Sequence, residues 1–274
     1  MDLSIIIVNY NGEEYLSDCI DSIKKYCHDV SYEIIIWDNH SSDNSVVLIE
    51  KRYSKDVVLI KSKENLGFAG GNNAAAKHAI GEHVLLLNND TILMAKPSIP
   101  IEVLSNPSVG VVSMKMLGRD GEYRFSAGNF PSPLRLIKLS WLFRQNGGFK
   151  DGQFNADEPL EVDWVEGSFL LTRMKIWRQL DGLDESYFMY AEDIDFCKRV
   201  SDLSYKTLYL PINGYVHYGG YGKERQHMLF SSLNIYIQKH TSGVNKHLHK
   251  LALNINLLIK NVKALIKKAV GKER

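Results

Sequence analysis

Asn88-Asn89-Asp90 ends the apolar run Val84-Leu85-Leu86-Leu87, about a hundred residues before a second acid pair, Glu192-Asp193, and further still before His217. A carboxylate at the mouth of a buried strand can hold a divalent cation, a second acid can accept a proton, and an imidazole can add a ligand. Together the three suit metal-assisted chemistry on a diphosphate. Each also has a plainer reading. Two acids are favoured in the first turn of a helix running through Phe196, Cys197 and Val200, and His217 could be a satisfied histidine beside a strand.

The elements that would position these groups are legible at the start of the chain. Leu3 to Val8 is a continuous apolar run, as expected of a strand covered on both faces. Asn11 could cap the next helix with Glu14 reaching back, and Leu16, Cys19, Ile20 and Ile23 form one buried stripe. A second strand over 33–37 ends at Asp38-Asn39, with Ser42 or Asp43 opening a helix. A third, over 57–60, leads to the Gly-rich segment Asn65 to Asn73 and an alanine-rich helix over 74–80, ended by Gly81; Val84 to Leu87 is a fourth. Strands alternating with helices predict an α/β fold with a mostly parallel, doubly wound sheet. Ligands of such sheets bind beyond the carboxyl ends of the strands, which is where Asn9, Asn11, Asp38, Asn39, Asn65 and Asp90 fall. The Gly-rich segment is neither GxGxxG nor a P-loop, which it would resemble only with a lysine.

At 274 residues, 45% hydrophobic and 24% charged, the chain has material for a sizeable core. The net charge of +1 argues against a nucleic-acid partner, but it hides an asymmetry. Residues 239–274 carry nine basic residues against the single acid Glu273, while the rest carry 24 basic and 31 acidic. The three cysteines lack metal-site spacing and read as buried or free thiols of a reducing compartment. With no leader peptide or spanning stretch visible, the expected location is cytoplasmic.

Ile7-Val8-Asn9-Tyr10-Asn11, Trp37-Asp38-Asn39-His40-Ser41-Ser42-Asp43 and Asn65-Leu66-Gly67-Phe68-Ala69-Gly70-Gly71-Asn72 occur in one chain with Leu87-Asn88-Asn89-Asp90-Thr91, Tyr190-Ala191-Glu192-Asp193-Ile194-Asp195 and Val216-His217. In this order, over about residues 2–222, they resemble the inverting family 2 glycosyltransferases of GT-A fold, most closely the rhamnosyltransferase-like branch. Asn-Asn-Asp replaces the family's usual Asn-Pro-Asp, and Asp181-Gly182-Leu183-Asp184-Glu185 its Gly-Gly-Phe-Asp-Glu. The resemblance implies a glycosyltransferase domain over 1–222, with a nucleotide-binding half (1–95) and an acceptor and catalytic half (96–222), followed by a helical basic extension (223–274).

It further implies a nucleotide-sugar donor. Asp38 would accept the imide N–H of a uracil or thymine. Asn9, Asn11, Glu13 and Asn39 would line the nucleoside pocket, with Asn65, Gly67, Gly70, Gly71 and Asn72 closing over ribose and diphosphate and Asn88 and Asn89 beside ribose and sugar. Asp90 would hold Mg2+ or Mn2+, with His217 a further ligand or a diphosphate contact. Asp193 would be the general base, and Glu192 would orient it or contact the acceptor. Asp163 to Ser168 would shape the floor, where Trp164 could stack on a sugar or sit in the core. Residues 118–160 would form a mobile acceptor-side insertion.

From His247 on, Leu248, Leu251, Ile255, Leu258, Val262, Leu265 and Ala269 recur at helical steps with lysines mostly off the stripe. Such a basic amphipathic helix suits the cytoplasmic face of an anionic membrane, or packing on the body or on a second subunit. The leading expectation is transfer of rhamnose from dTDP-rhamnose to a lipid-linked or surface-polysaccharide acceptor. UDP-galactofuranose, UDP-glucose or UDP-N-acetylglucosamine would use nearly the same residues. A non-catalytic nucleotide-sugar-binding module would not need Asp90, Asp193 and His217 intact. A sugar-nucleotide pyrophosphorylase should carry a basic residue in its first loop, and Asn9-Tyr10-Asn11-Gly12 has none.

Overall fold

The first apolar run forms β1 (Leu3–Asn9), and strands and helices then alternate: α1 (Leu16–Tyr26), β2 (Tyr32–Asp38), α2 (Ser45–Arg52), β3 (Val58–Lys61), α3 (Gly67–Ala76) and β4 (His83–Leu87). The second half adds β5 (Thr91–Leu93), α4 (Ser98–Leu104), β6 (Val109–Leu117), α5 (Pro133–Ile137), β7 (Leu160–Val162) and β8 (Phe169–Arg173). It closes with α6 (Met174–Gln179), α7 (Glu192–Asp202), β9 (Lys206–His217), α8 (Arg225–His240) and α9 (Gly243–Val270). The computed structural model describes residues 1–143, 149–150, 153–154, 156–219 and 225–270; Gly220, the expected boundary at 222 and parts of the 118–160 insertion lie outside them.

The sheet runs β7-β9-β6-β8-β4-β1-β2-β3, with β5 added to β9. Around β1 every pairing is parallel, β8 enters antiparallel between β4 and β6, and β9 pairs parallel with β6. Six of the nine strands therefore point the same way, and the carboxyl ends of β1, β2, β4 and β9 share one rim. Both faces are covered. Ile5 and Ile7 pack with Leu16, Cys19, Ile20 and Ile23 of α1, while Ile6 on the other face packs with Ala69 and Ala75 of α3. Burying each such isoleucine contributes roughly 1.5–3 kcal/mol. Alternation of side chains across the two faces is why both sides of β1 must be apolar.

Three local expectations are corrected. α1 begins at Leu16, and Asn11 does not cap it: Asn11 is left-handed (φ 52°) and its Oδ1 accepts from Ser42 N (2.8 Å). α2 begins at Ser45, although Asp43 Oδ1 does accept from Ser45 N (3.1 Å). The Gly-rich segment is not a loop but the body of α3, which starts at Gly67 and has ended before Gly81. Glycine costs a helix about 1 kcal/mol, and packing offsets it here. A Cβ on Gly71 would come within 2.9 Å of Val8 Cγ1, so the small residue lets α3 lie close on β1.

The C-terminal helices join the same core. Leu233, Tyr236 and Ile237 of α8 and Ala252 and Leu253 of α9 are buried in the cluster that holds α7. α9 packs through His249, Ala252, Leu253 and Asn256, with Asn256 Nδ2 donating to Ile137 O (2.6 Å). The expected stripe lies on a neighbouring face and stays out: Leu251 is 57% and Leu258 63% exposed. The side chains of Leu265 and Ala269 lie outside the described residues. Among the described residues, no helix is long and apolar enough to cross a membrane.

Candidate active site

A crevice of about 680 Å³ opens at the shared rim, a size usual for a small-molecule site. Asn11, Asn39, Asn65, Gly67, Asn88, Asn89, Asp90, Glu192 and Asp193 all line it. The groups on β4, α7 and β9 meet because of two pairings. β9 runs antiparallel to β5 with His217 opposite Thr91, and Tyr218 N donates to Asp90 O (3.0 Å). β8 runs antiparallel to β4, so Gly167 and Ser168 enter beside Asn88, whose N donates to Ser168 O (3.3 Å). Gly167 N in turn donates to Asp193 Oδ2 (3.0 Å).

At one pole Asp90 Oδ1 lies 3.1 Å from His217 Nε2, which is also 3.2 Å from Asn88 Nδ2. An oxygen and an imidazole nitrogen at this spacing fit two adjacent positions on an ion with bonds of about 2.1 Å. No cluster of three or more potential ligands occurs among the described residues, so water and a phosphate-bearing ligand would complete the shell of Mg2+ or Mn2+.

The other pole is the buried acid pair. Burial, then the neighbouring charge of Asp193, pushes the Glu192 carboxyl well above its usual range, and Glu192 Oε2 has no hydrogen-bond partner among the described residues. Burial also pushes Asp193 up, to about 6, against the lowering effect of N–H donors from Gly167 and Ile194. Those donors favour the anion on Asp193. Glu192 therefore keeps a proton that Asp193 gives up near neutral pH. Because folding raises the Glu192 pKa, the native state takes up a proton that the unfolded chain lacks above its ordinary value, and stability falls as pH rises. Glu192→Gln removes that cost. It is expected to melt at least ~2 °C above the wild type at pH 8, with the gap closing towards pH 4.5. A gap that does not grow with pH in paired melting curves would rule out the protonated Glu192.

The turn before the pair is strained. Tyr190 (φ 71°) and Ala191 (φ 65°) are consecutive left-handed residues without the freedom of glycine, at roughly 1–3 kcal/mol each. They are held by Phe68 N donating to Phe188 O (2.8 Å) and by Ser232 Oγ of α8 donating to Met189 O (2.9 Å). One turn into α7, buried Asp195 accepts from Arg199 Nε (2.7 Å) and sits 2.7 Å from His240 Nε2. Burial alone would raise Asp195, but these partners outweigh it and hold the carboxyl below its usual range.

Seven expected site residues do not reach the crevice wall: Asn9, Glu13, Asp38, Gly70, Gly71, Asn72 and His217, which is buried and meets the lining residues Asp90 and Asn88. Asp38 is 3% exposed, with Oδ1 accepting from Asn9 Nδ2 (2.8 Å) and Oδ2 from Ser41 N (3.1 Å). Asn9 also accepts from Asn89 Nδ2 (2.9 Å), so the pair braces the strand ends from behind. Glu13 is exposed and accepts from Asn44 N (3.1 Å). Gly70 and Gly71 are internal to α3, and Asn72 Nδ2 donates to Phe68 O (2.9 Å). Trp164 lines the floor but is 3% exposed, with its N–H committed to Asn129 O (3.0 Å).

Tyr10, Tyr15, Phe68 and Lys260, to which the sequence assigned no site role, also lie on the crevice wall, and Glu166 of the expected floor segment joins them. Arg119 stacks on Tyr218 (4.2 Å), next in the chain to His217, and on Tyr15 (5.3 Å) of the crevice wall. No local pattern marks these residues, since exposure into a crevice has no periodicity. All three cysteines are buried free thiols raised to about 12 by burial, so none is a ready nucleophile.

The model of the family described as glycosyl transferase family 2 matches residues 4–144, just over half of the chain. The chain is 28% identical over 207 residues to the low-salt glycan biosynthesis hexosyltransferase Agl10 of Haloferax volcanii, covering 72% of this chain but only 61% of that protein. It is 27% identical over 224 residues to rhamnosyltransferase WbbL of Escherichia coli, covering 78% and 82%. It is 25% identical over 241 residues to the N-acetylglucosaminyl-diphospho-decaprenol L-rhamnosyltransferase of Mycobacterium tuberculosis, covering 81% and 78%. In fold it is similar to the mannosyltransferase PcManGT of Pyrobaculum calidifontis, solved with GDP-Man and Mn2+, at 16% identity and a TM-score of 0.58 over 96% of this chain and 75% of that one. A sheet with α/β layers, a rim crevice lined by Asp90 and a buried acid pair, and the matched model place this chain in glycosyl transferase family 2, on the GT-A fold.

Proposed function

We propose that the protein transfers a hexose from a nucleotide sugar to a lipid-linked or glycan acceptor in one inverting displacement. The observation that carries this reading is that Asp90, backed by His217 Nε2 at 3.1 Å, and the Asp193 carboxylate line one crevice. Asp193 takes the proton of the acceptor hydroxyl as that oxygen attacks the anomeric carbon, and the diphosphate departs on the opposite side with the bonding pair. Glu192, protonated, keeps its own charge from opposing that of Asp193. Asp90 and His217 would hold Mg2+ or Mn2+, which when bound would offset charge on the diphosphate. Tyr10, Asn11, Asn39 and Asn65 form the nucleoside end of the crevice, with Asn88 and Asn89 towards the sugar.

dTDP-rhamnose is the preferred donor, supported by the two rhamnosyltransferases among the relatives. A UDP-sugar is the second reading, since the nucleoside end has no feature that selects thymine over uracil. The exposed stripe of α9, with Lys250 and Lys263 beside it, would rest on an anionic membrane surface. Thermal-shift screening of nucleotide sugars with Mn2+ tests the donor: dTDP-rhamnose is expected to raise the melting temperature most. Stabilisation by a UDP-sugar alone would overturn that choice, and stabilisation by none would overturn the transferase reading.

Gly67 gives a further test. Its φ is +73°, and a Cβ would lie 2.3 Å from Phe188 O, on the segment that leads to Asp193. Gly67→Ala is expected to destabilise by about 1–2 kcal/mol. Transfer should fall further than the folded fraction does, because the clash displaces residues 188–191. Urea unfolding alongside an activity assay separates the two effects; activity that tracks the folded fraction would show the contact to be structural only.

A further inference from the structure

Four acids line the crevice, Asp90, Glu166, Glu192 and Asp193, and among the described residues only one basic side chain does: Lys260, from the C-terminal helix. Lys260 lies with Nζ 4.9 Å from the centroid of the Phe230 ring and pairs with no carboxylate among the described residues. Burial holds its pKa below the usual lysine value. A partly desolvated ammonium without a counter-charge is costly, and an anion brought to it would recover that cost. Its position is set by the fold. One turn earlier Asn256 is bonded to Ile137 O (2.6 Å), and His249 Nε2 lies 3.4 Å from Pro131 O, so α9 is clamped to the segment that runs on into Leu139 and Leu142. The same crevice is lined by the apolar Leu139, Leu142, Phe143 and Leu229, with Ser140 among them, and Leu229 directly precedes the Phe230 that Lys260 lies over. On its outer side α9 carries the exposed Leu251, Leu258 and Val262.

We propose that Lys260 and this apolar wall form an acceptor subsite for an amphiphile bearing a phosphate or diphosphate, with the anion on the lysine and the adjoining hydrocarbon along Leu139, Leu142, Phe143 and Leu229. This rests on the transferase reading above and deepens it. A cation on the crevice wall lets a second anion enter a crevice whose other charged lining groups, among the described residues, are acids. The apolar residues beside it suit hydrocarbon, and the exposed face of α9 gives a long chain a way out to a lipid surface. A sugar carried on such a diphosphate would extend from Lys260 towards Asp193.

The test measures binding of farnesyl diphosphate and of farnesol to the full chain, with the donor site filled by saturating UDP or dTDP and Mn2+. The wild type is expected to prefer the diphosphate by about ten- to a hundredfold, the range of one charge-assisted hydrogen bond. Lys260→Ala should lose that preference while binding farnesol as the wild type does, and Lys260→Arg should keep most of it. Lys263→Ala, on the exposed side of the same helix, should change nothing. Unchanged farnesyl diphosphate binding in Lys260→Ala would overturn the subsite. An equal loss for farnesol would reduce it to an apolar or structural effect, and displacement by the nucleoside diphosphate would assign Lys260 to the donor instead. Nucleotide-sugar binding by thermal shift is read separately, so failure of the subsite and failure of the transferase reading are distinguishable.

Discussion

Asp193→Asn is expected to bind the nucleotide sugar as the wild type does and to lose transfer by ~10²–10⁴-fold, the usual contribution of a positioned general base. The amide has nearly the shape of the carboxylate, so the donor end of the crevice, built from β1, β2 and β4, should be untouched. Gly167 N and Ile194 N donate to Oδ2 and Oδ1 at 3.0 and 2.8 Å, so one of them keeps an oxygen acceptor in the amide and the other loses its bond. What is lost is the ability to take a proton. The wild-type rate should follow the same group. With Asp193 raised to about 6 by burial, the base is protonated and idle below that pH and becomes active as pH rises through it. Single-turnover transfer measured across pH 5–8, beside equilibrium donor binding, checks both statements. Full activity in Asp193→Asn, or a rate that falls as pH rises through 6, would remove Asp193 from the base position.

Asp90→Ala should be nearly as damaging, by a different route. Asp90 supplies a carboxylate at the imidazole pole, 3.1 Å from His217 Nε2. Without it a divalent cation keeps a single protein ligand and the leaving diphosphate loses a fixed counter-charge. Losing one preorganised electrostatic contact of this kind costs about 10²–10³-fold in turnover. Unlike Asp193→Asn, this variant should also lose the Mn2+-dependent part of donor stabilisation in a thermal-shift titration. His217→Ala should move both readouts in the same direction. If Asp90→Ala binds donor with undiminished Mn2+ dependence, the cation is held elsewhere.

Much of the donor half could be read without coordinates. Strands that are apolar on both faces, each followed at once by Asn or Asp, mark a buried parallel sheet and its ligand-binding rim, and Asn11, Asn39, Asn65 and Asn88 to Asp90 do reach that rim. The local reading erred where packing outweighed propensity. Gly67 to Asn73 looks like a loop because glycine disfavours helix, yet it is helical because only glycine lets α3 approach Val8 so closely. Asp38 looks available because a carboxylate after a strand usually is, yet Asn9 and Ser41 occupy it from behind.

The amino-acid order alone determined the first four strands, where they end and which polar residues crowd those ends, because backbone periodicity and turn chemistry act over a few residues. Only the folded chain decided that His217 stands beside Asp90, that Glu192 rather than Asp193 keeps the proton, and that a lysine of the last helix lines the crevice. Those outcomes depend on strand pairing, desolvation and charge proximity between segments more than a hundred residues apart, as from Asp90 to His217, and no local pattern encodes them.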